Sequence, residues 1–321
     1  MKKILGTAII LAAMMLLIPL SAFKEQPKVT EATAIINAEQ KTDEPTQSES
    51  FKVYDPETEK ITEMTAEDYI FGVVAAEMPV LYEEEALKAQ AVAAYTFACC
   101  RKAENSQKEY DITTSPLTDQ SYITEATACE RWGKNAEIYT KKIKSVIEQT
   151  KGYMITYNGL PATAVYHAIS SGKTESCKDV WGKDIPYLVP VTSEGDRLAE
   201  GYISEVVLTK RELRQLLKEK TDVNTDDLSF GDAQRTDSGA VKEITLCGET
   251  FSGSEIRELV GLRSSNFQVN YSDKRFTFTV YGYGHGVGMS QNGANYMAKQ
   301  GSTFKEILTH YYTDCKIEKV N

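Results

Sequence analysis

From Tyr69 to Val74 the apolar residues recur with helical spacing. Tyr69, Ile70, Val73 and Val74 form one stripe at about 100° per residue. Thr65 followed by Asp68 reads as a capping box that starts this helix. Pro79 disfavours the α region at Met78, so the helix should stop at about Glu77. Upstream, Phe51 to Thr62 predicts a strand or hairpin. Glu83 to Ala103 predicts a second helix, rich in alanine, whose small side chains permit close approach of neighbours. Tyr110 to Tyr122 is turn-rich, Ala136 to Thr150 is amphipathic and helical, and Met154 to Tyr157 is a strand before an Asn158-Gly159 turn.

Ala162 to Ala168 reads as a further apolar strand. Between Tyr202 and Tyr281 the order is strand, helix, strand, short hairpin, helix and two strands, with capping boxes at Thr209/Glu212 and Ser252/Glu255. Phe276, Phe278 and Val280 alternate with Thr277, Thr279 and Tyr281, as in a half-buried strand. Ser302 or Thr303 caps a last helix to about Tyr312. The expected fold is α+β: a helical core with mixed short sheets and an inserted smaller α+β lobe, about 200–272, flanking a substrate groove.

One position breaks the pattern. Glu77 falls at the centre of the first helix's apolar stripe, one turn beyond Val73 and Val74. It also stands at the negative end of the helix dipole. Burial and the dipole both disfavour its charged form and push its pKa up. A carboxyl group that keeps its proton near neutral pH suits general acid catalysis. The competing reading is a core glutamate paired with Arg or Lys, or one frayed into solvent at the helix end.

Composition narrows the classes. The chain has 321 residues, a net charge of −10 and three histidines, which argues against nucleic acid as a partner. Lys2-Lys3 precedes an uncharged apolar run, Ile4 to Phe23, long enough to span a bilayer. Residues 1–23 are therefore expected to be an anchor, 24–50 a disordered tether, and 51–321 a catalytic domain outside the cytoplasm. Ser21-Ala22 leaves a cleaved signal peptide as the alternative. The six cysteines show no framework spacing and identify no disulfide.

Near the C-terminus Gly282, Gly284, Gly286 and Gly288 alternate around Tyr283, His285 and Val287. Glycine at that density points to a loop where backbone approaches a ligand or another backbone closely. The motif is neither a P-loop nor a nucleophile elbow, because no Lys-Ser/Thr and no following periodic helix is evident and Ser290 sits in G-M-S-Q-N. Gln291 and Asn292 are candidate hydrogen-bonding groups for a sugar, and His285 with Tyr283 and Gln291 could contact substrate or pin the loop. Lys173 could meet a saccharide or a lactyl carboxylate.

Three blocks together resemble one family. They are DYIFGVVAAEMP followed by EALKAQAVAAYT, VYHAISSGKTES with VWG after it, and GYGHGVGMSQNGANYMAKQG with the final ILTHYY. They look like the stage II sporulation protein D family, membrane-anchored lytic transglycosylases of endospore-forming bacteria. The resemblance covers roughly residues 51–321. It implies cleavage between N-acetylmuramic acid and N-acetylglucosamine in peptide-free glycan strands during engulfment, in the mother-cell membrane. It implies, as partners, a stage II sporulation protein P-like amidase/endopeptidase and a membrane complex.

The resemblance also assigns residues. The glutamate of its A-A-E-M-P motif is Glu77. The G-G-K-T motif appears as Ser171-Gly172-Lys173-Thr174, so Lys173 and Thr174 join Tyr283, His285 and Gln291 as expected substrate contacts. Relatives usually carry a substrate-binding Arg where Tyr95 stands. Some hold zinc through a Cys/His cluster in the region matching Ser106 to Tyr122, where this chain has neither residue, so no metal and no cofactor is expected.

Two other classes compete. The domain also resembles amidase enhancers, which would make the chain a non-catalytic wall-binding activator. A weaker reading is a Cys-dependent hydrolase using Cys177 and His167. Within the glycosidase reading, Glu175 and Asp179 are candidates for a second carboxylate that a hydrolase would need.

Overall fold

The structure, a computed structural model, describes residues 49–320 except 222 and 226. It is a mixed α+β architecture of helices and short sheets. Strands β1 (Ser50–Asp55) and β2 (Lys60–Thr65) form the expected hairpin, and β3 (Ile112–Thr113) joins β1 in parallel. Glu49 and Ser50, the end of the segment read as a tether, belong to this ordered start.

Helix α1 (Ala66–Glu77) begins where the sequence predicts. The Thr65 hydroxyl accepts the Asp68 N–H at 3.1 Å. The return contact goes to the hydroxyl at 2.8 Å and not to the Thr65 backbone, so the capping box is half formed. The helix stops because Met78 is extended, φ −126° and ψ 135°, as the following Pro79 demands. Every residue from Tyr69 to Val74 is buried, a wider face than the predicted stripe. The cause is a surround of helices: α1 packs against α2 (Glu84–Glu104), α3 (Glu125–Trp132) and α4 (Ala136–Thr150). Ala86, Ala89, Ala91, Ala93, Ala94 and Ala98 of α2 are all buried, so its neighbours come close on most sides.

After α4 the chain forms β4 (Tyr153–Tyr157) and β5 (Leu160–Pro161). The strand expected over Ala162–Ala168 is reduced to β6 (Tyr166–His167). Its neighbours Val165 and Ile169 bond the glycine loop through separate contacts: Ile169 and Tyr283 exchange N–H···O bonds of 3.0 and 2.6 Å, and Met289 N–H reaches Val165 O at 3.2 Å. Those four glycines have φ of 81°, 113°, 81° and 72°, which no continuous ladder allows. Short helix α5 (Cys177–Trp181) follows.

The next segment has the element order that the sequence predicts. It runs β7 (Ile203–Thr209), α6 (Lys210–Lys220), β8 (Phe230–Arg235), β9 (Val241–Leu246), β10 (Glu249–Ser252), α7 (Gly253–Val260), β11 (Phe267–Ser272) and β12 (Arg275–Tyr281). Both expected capping boxes are complete. These elements share a second hydrophobic cluster, from Leu213 to Val280, distinct from the first. Phe276, Phe278 and Val280 face into it.

The chain then returns to the first cluster through β13 (Met289–Ser290), α8 (Gln291–Lys299), α9 (Phe304–Tyr311) and β14 (Lys316–Lys319). Strand β13 pairs with β6 in parallel, and β14 pairs with β4 antiparallel. Helix α8 corrects the sequence reading, which sees no helix after the glycines. Asn292 and Gly293 weaken its local propensity. Gly293 is required all the same: a Cβ there would stand 2.1 Å from the Tyr311 hydroxyl and 2.2 Å from Ser193 Oγ.

The expected location, a single-pass membrane protein with its domain outside the cytoplasm, is also corrected. Among the described residues no helix is long and apolar enough to cross a membrane. The longest, α2, carries Glu84, Glu85, Lys88, Arg101, Lys102 and Glu104. The apolar run Ile4 to Phe23 that motivated the expectation lies outside the described residues, as does most of the tether.

Candidate functional site

A cavity of about 980 Å³ has walls drawn from both hydrophobic clusters. That volume lies at the upper end of ordinary ligand pockets, about 300–1,000 Å³. Glu77 is on its wall. Helix α1 stops at this residue because Pro79 turns the chain, so the side chain projects from a helix end.

Glu77 Oε1 accepts the backbone N–H of Ser121 at 2.7 Å. Burial pushes the carboxyl pKa up, opposed by hydrogen bonds from the Ser121 backbone and side chain. Among the described residues no Lys or Arg forms an ion pair with it. The alternative of a core glutamate with a cationic partner thus has no counterpart among the described residues.

The segment that meets Glu77 is held from below. Asp119 is buried, bonded to Arg101 Nε at 2.5 Å and to the Thr113 N–H at 2.9 Å. Gln120 donates to Tyr69 Oη and to Ala94 O, both at 3.3 Å, and accepts from Tyr166 Oη at 2.8 Å. Closest approach is made at Gly72: a Cβ there would lie 2.2 Å from the Tyr122 ring and 2.5 Å from the Ile123 carbonyl oxygen. The Ile123 N–H instead reaches Gly72 O at 3.2 Å. Glycine costs a helix interior about 1 kcal/mol relative to alanine. Here that absence of a side chain lets residues 121–123 lie against α1 and aim Ser121 at Glu77.

On the glycine-loop side, each glycine faces the 165–175 segment. A Cβ on Gly284 would stand 2.7 Å from His167 Cβ, one on Gly286 2.9 Å from Glu175 Cγ, and one on Gly288 2.1 Å from Val165 O. The loop therefore approaches another backbone closely, while Gly284 and Gly286 also line the cavity. His285 sits among Trp181 and His167, with ring centroids 4.8 and 5.7 Å away. Its Nδ1 accepts the Val287 N–H at 3.1 Å. His167 Nδ1 lies 3.1 Å from Val287 O, a contact that fixes the proton on Nδ1. Burial pushes the pKa of His167 down to about 4 and that of His285 well below the usual imidazole range, so both rings are neutral at pH 7.

The expected site residues divide. Glu77, Lys173, Tyr283, His285 and Gln291 all line the cavity. Gln291 also donates to Gln90 Oε1 at 3.2 Å. Thr174 and Tyr95 do not line it. Thr174 is fully buried, and its hydroxyl accepts the Val191 N–H at 2.8 Å. Tyr95 donates its hydroxyl to the Glu49 carboxylate. Asn292 bonds Gly195 O and Asp196 Oδ1, both at 3.2 Å.

The other candidate carboxylates, Glu175 and Asp179, share the cavity wall. Burial raises the Glu175 pKa, and its Oε1 accepts the Ala240 N–H at 3.3 Å. Ser176 caps α5 by accepting the Asp179 N–H and donating its hydroxyl to the Asp179 carboxylate, which lies 3.7 Å from Lys242 Nζ. Cys177 is off the cavity, buried, and its thiol is pushed up to about 12 by burial, which removes the basis for a Cys177–His167 nucleophile. All six cysteines are free thiols. Among the described residues no group of three or more His, Cys, Asp or Glu side chains is arranged to hold a metal ion.

The comparison with known proteins is decisive for kinship. The chain is 35% identical to stage II sporulation protein D of Bacillus subtilis (strain 168) over 276 residues, covering 85% of this chain and 80% of that protein. It belongs to the stage II sporulation protein D family. A second member of the family, from Bacillus amyloliquefaciens, is 34% identical across 90% of this chain and 85% of its own length. The family model described as stage II sporulation protein matches residues 54–157, the stretch that contains Glu77, Gly72 and Ser121. The amidase enhancer of Bacillus subtilis is 28% identical across 75% of this chain but only 39% of its own length.

Several site residues are missing from the sequence reading: Gly72, Arg101, Asp119, Gln120, Ser121, Tyr166 and Arg257. A signal exists for three of them. Gly72 interrupts an otherwise apolar helix, and Asp119-Gln120 follows a Pro116 turn. Nothing in the local sequence brings Arg257 to this wall, because it reaches the cavity only through the second cluster.

Proposed function

We propose that this family member is a peptidoglycan lytic transglycosylase that cuts between N-acetylmuramic acid and N-acetylglucosamine in peptide-free glycan strands, with Glu77 as its acid. The cavity is the substrate groove, and the inserted lobe at about 200–272 forms one of its walls. The observation that carries the reading is Glu77 itself: a cavity-wall carboxyl whose pKa is raised by burial and which has no cationic partner among the described residues.

The chemistry needs one such group. Protonated Glu77 gives its proton to the glycosidic oxygen as the bond from muramic C1 breaks. The resulting carboxylate then takes the proton of the sugar's own C6 hydroxyl as that oxygen bonds to C1. The products are a 1,6-anhydromuramoyl end and a free N-acetylglucosamine hydroxyl, and no water is consumed. Ser121 holds the carboxyl in register through both steps. Tyr283, His285, Gln291 and Lys173 are the groups placed to position the sugar.

The decisive experiment is mass analysis of products from peptide-free glycan strands treated with the purified chain and with Glu77→Gln. Anhydro ends from the wild type, and none from a variant that still binds glycan, are expected. Reducing ends alone would make the protein a hydrolase and turn attention to Glu175 and Asp179, which line the same cavity. The similarity to the amidase enhancer supports a second reading, a wall-binding activator of a partner amidase. That reading predicts no glycan products from either protein and stimulation of an amidase by both. In either case the natural partners are glycan strands and a peptide-removing amidase of the stage II sporulation protein P kind.

A further inference from the structure

The cavity wall contributed by α7 carries a buried cation with no anionic partner among the described residues. Arg257 is only 7% exposed and lines the cavity. Among the described residues its Nε makes no hydrogen bond and no carboxylate lies within ion-pair distance of its guanidinium. Burial lowers its pKa to about 10, opposed by the charges of Tyr283 and Glu258. It remains charged at neutral pH, and a buried charge without a partner is costly.

The placement is enforced. The capping box of Ser252 and Glu255 starts α7, and Gly253 sits so close to β9 that a Cβ would stand 2.0 Å from Val241 O. Helix α7 is thereby pinned with Arg257 one turn further on. Other cavity-lining groups nearby are also unsatisfied. Because Nδ1 accepts from Val287, neutral His285 carries its proton on Nε2, a buried donor that meets no acceptor among the described residues at ordinary hydrogen-bond geometry and has only the Tyr166 backbone to favour it. Arg263 lies 4.1 Å over the Tyr283 ring and leaves its Nε unpaired. Unused donors around an uncompensated guanidinium are complementary to a planar anion, and Arg pairs with carboxylate through two parallel hydrogen bonds.

We propose that Arg257 is the specificity residue that selects glycan bearing a free carboxylate, with His285 Nε2–H as a supporting donor. This rests on the glycan reading above. On a muramic acid residue the lactyl carboxylate is free only when the stem peptide is gone; with the peptide attached the same carbon is a neutral amide. Arg257 therefore reads out the absence of peptide, and an amide-hydrolysing reaction must supply the substrate. Lys173, which the sequence offers for this role, is partly exposed and less suited to it, because an exposed charge discriminates weakly.

The test is binding, measured in the Glu77→Gln background so that nothing is cut. Muramic acid-containing oligosaccharides with a free lactyl carboxylate, its methyl ester and its primary amide are titrated by calorimetry. The carboxylate form should bind about ten- to a hundredfold more tightly than either neutral form. Adding Arg257→Gln should abolish that preference while leaving affinity for the neutral forms within about threefold; adding Lys173→Gln should leave the preference intact. Should Arg257→Gln fail to fold, Arg257→Lys replaces it and should cut the preference by at least about fivefold. Equal binding of charged and neutral sugars by the Arg257-bearing protein overturns the proposal, as does a preference lost with Lys173 and kept without Arg257. If no sugar binds at all, this proposal and the glycan reading fall together. Glu77-dependent cleavage without carboxylate preference overturns this proposal alone.

Discussion

Replacing Gly72 with alanine tests how Glu77 is held in place. The added methyl would meet the Tyr122 ring at 2.2 Å and the Ile123 carbonyl oxygen at 2.5 Å. A tyrosine ring can swing away, but the carbonyl is backbone, so the 121–123 segment must retreat by about 0.5 Å before contact is merely tight. That motion breaks the Ile123–Gly72 hydrogen bond of 3.2 Å and disturbs the stacked Tyr69–Tyr122 pair, whose centroids are 5.8 Å apart. It also stretches the 2.7 Å bond from Ser121 to Glu77. Alanine would gain about 1 kcal/mol of helix propensity. Overpacking costs about 1–3 kcal/mol, and the backbone clash puts this case toward the upper end, so a net loss of about 1–2 kcal/mol is expected. The rate of glycan cleavage should fall further than stability does, by about tenfold, because a misplacement of about 1 Å costs about a hundredfold and the shift at Ser121 is about half that. Urea denaturation gives the first quantity, and release of anhydro ends at saturating glycan gives the second. A Gly72→Ala protein with stability within about 0.5 kcal/mol of wild type and an unchanged rate would refute the reasoning.

Two further outcomes are expected. Asp119→Asn leaves Arg101 buried with only the more exposed Glu104 beside it, at 2.5 Å, and should cost about 3 kcal/mol by urea denaturation; a loss below about 1 kcal/mol would mean Glu104 suffices. The raised pKa of Glu77 means the folded protein binds its proton more tightly than the unfolded chain, so this residue's stabilising contribution is full below the unfolded pKa and is lost as pH rises through the folded one. Glu77→Gln should therefore gain thermal stability relative to wild type across that rise and lose the advantage in acid, and a pH-independent difference in melting temperature would contradict the shift.

What the sequence makes legible follows from how local each signal is. Thr65, Pro79 and the apolar positions between them define α1 without any tertiary information, and Glu77 is conspicuous because it violates a pattern carried by its own helix. The capping boxes at Thr209 and Ser252 are equally local and place both helices of the second cluster. Legibility ends where the partner is remote. Ser121 and Arg257 have unexceptional neighbours in sequence, and each gains its role from an element 44 to more than 100 residues away. Tyr95 shows the converse: its position in a recognisable block suggests a substrate contact, whereas its hydroxyl is occupied by Glu49. The strand expected at Ala162–Ala168 fails because the glycine loop beside it cannot hold an extended ladder.

The return of the chain from the second cluster to the first has a kinetic consequence. The Glu83 N–H is bonded to Asn295 at 2.8 Å, Gln90 to Gln291 at 3.2 Å, and Thr156 to Glu318 at 2.7 Å, pairs separated by 212, 201 and 162 residues. Closing loops of that length is slow, and contacts across them are among the last to form. Helix α2 can coil early, but the face it offers to α8 and α9 stays wet until those helices arrive. The Glu77 wall and the His285 wall are thus brought together late in folding, so a nascent or truncated chain exposes apolar surface and has no working cavity.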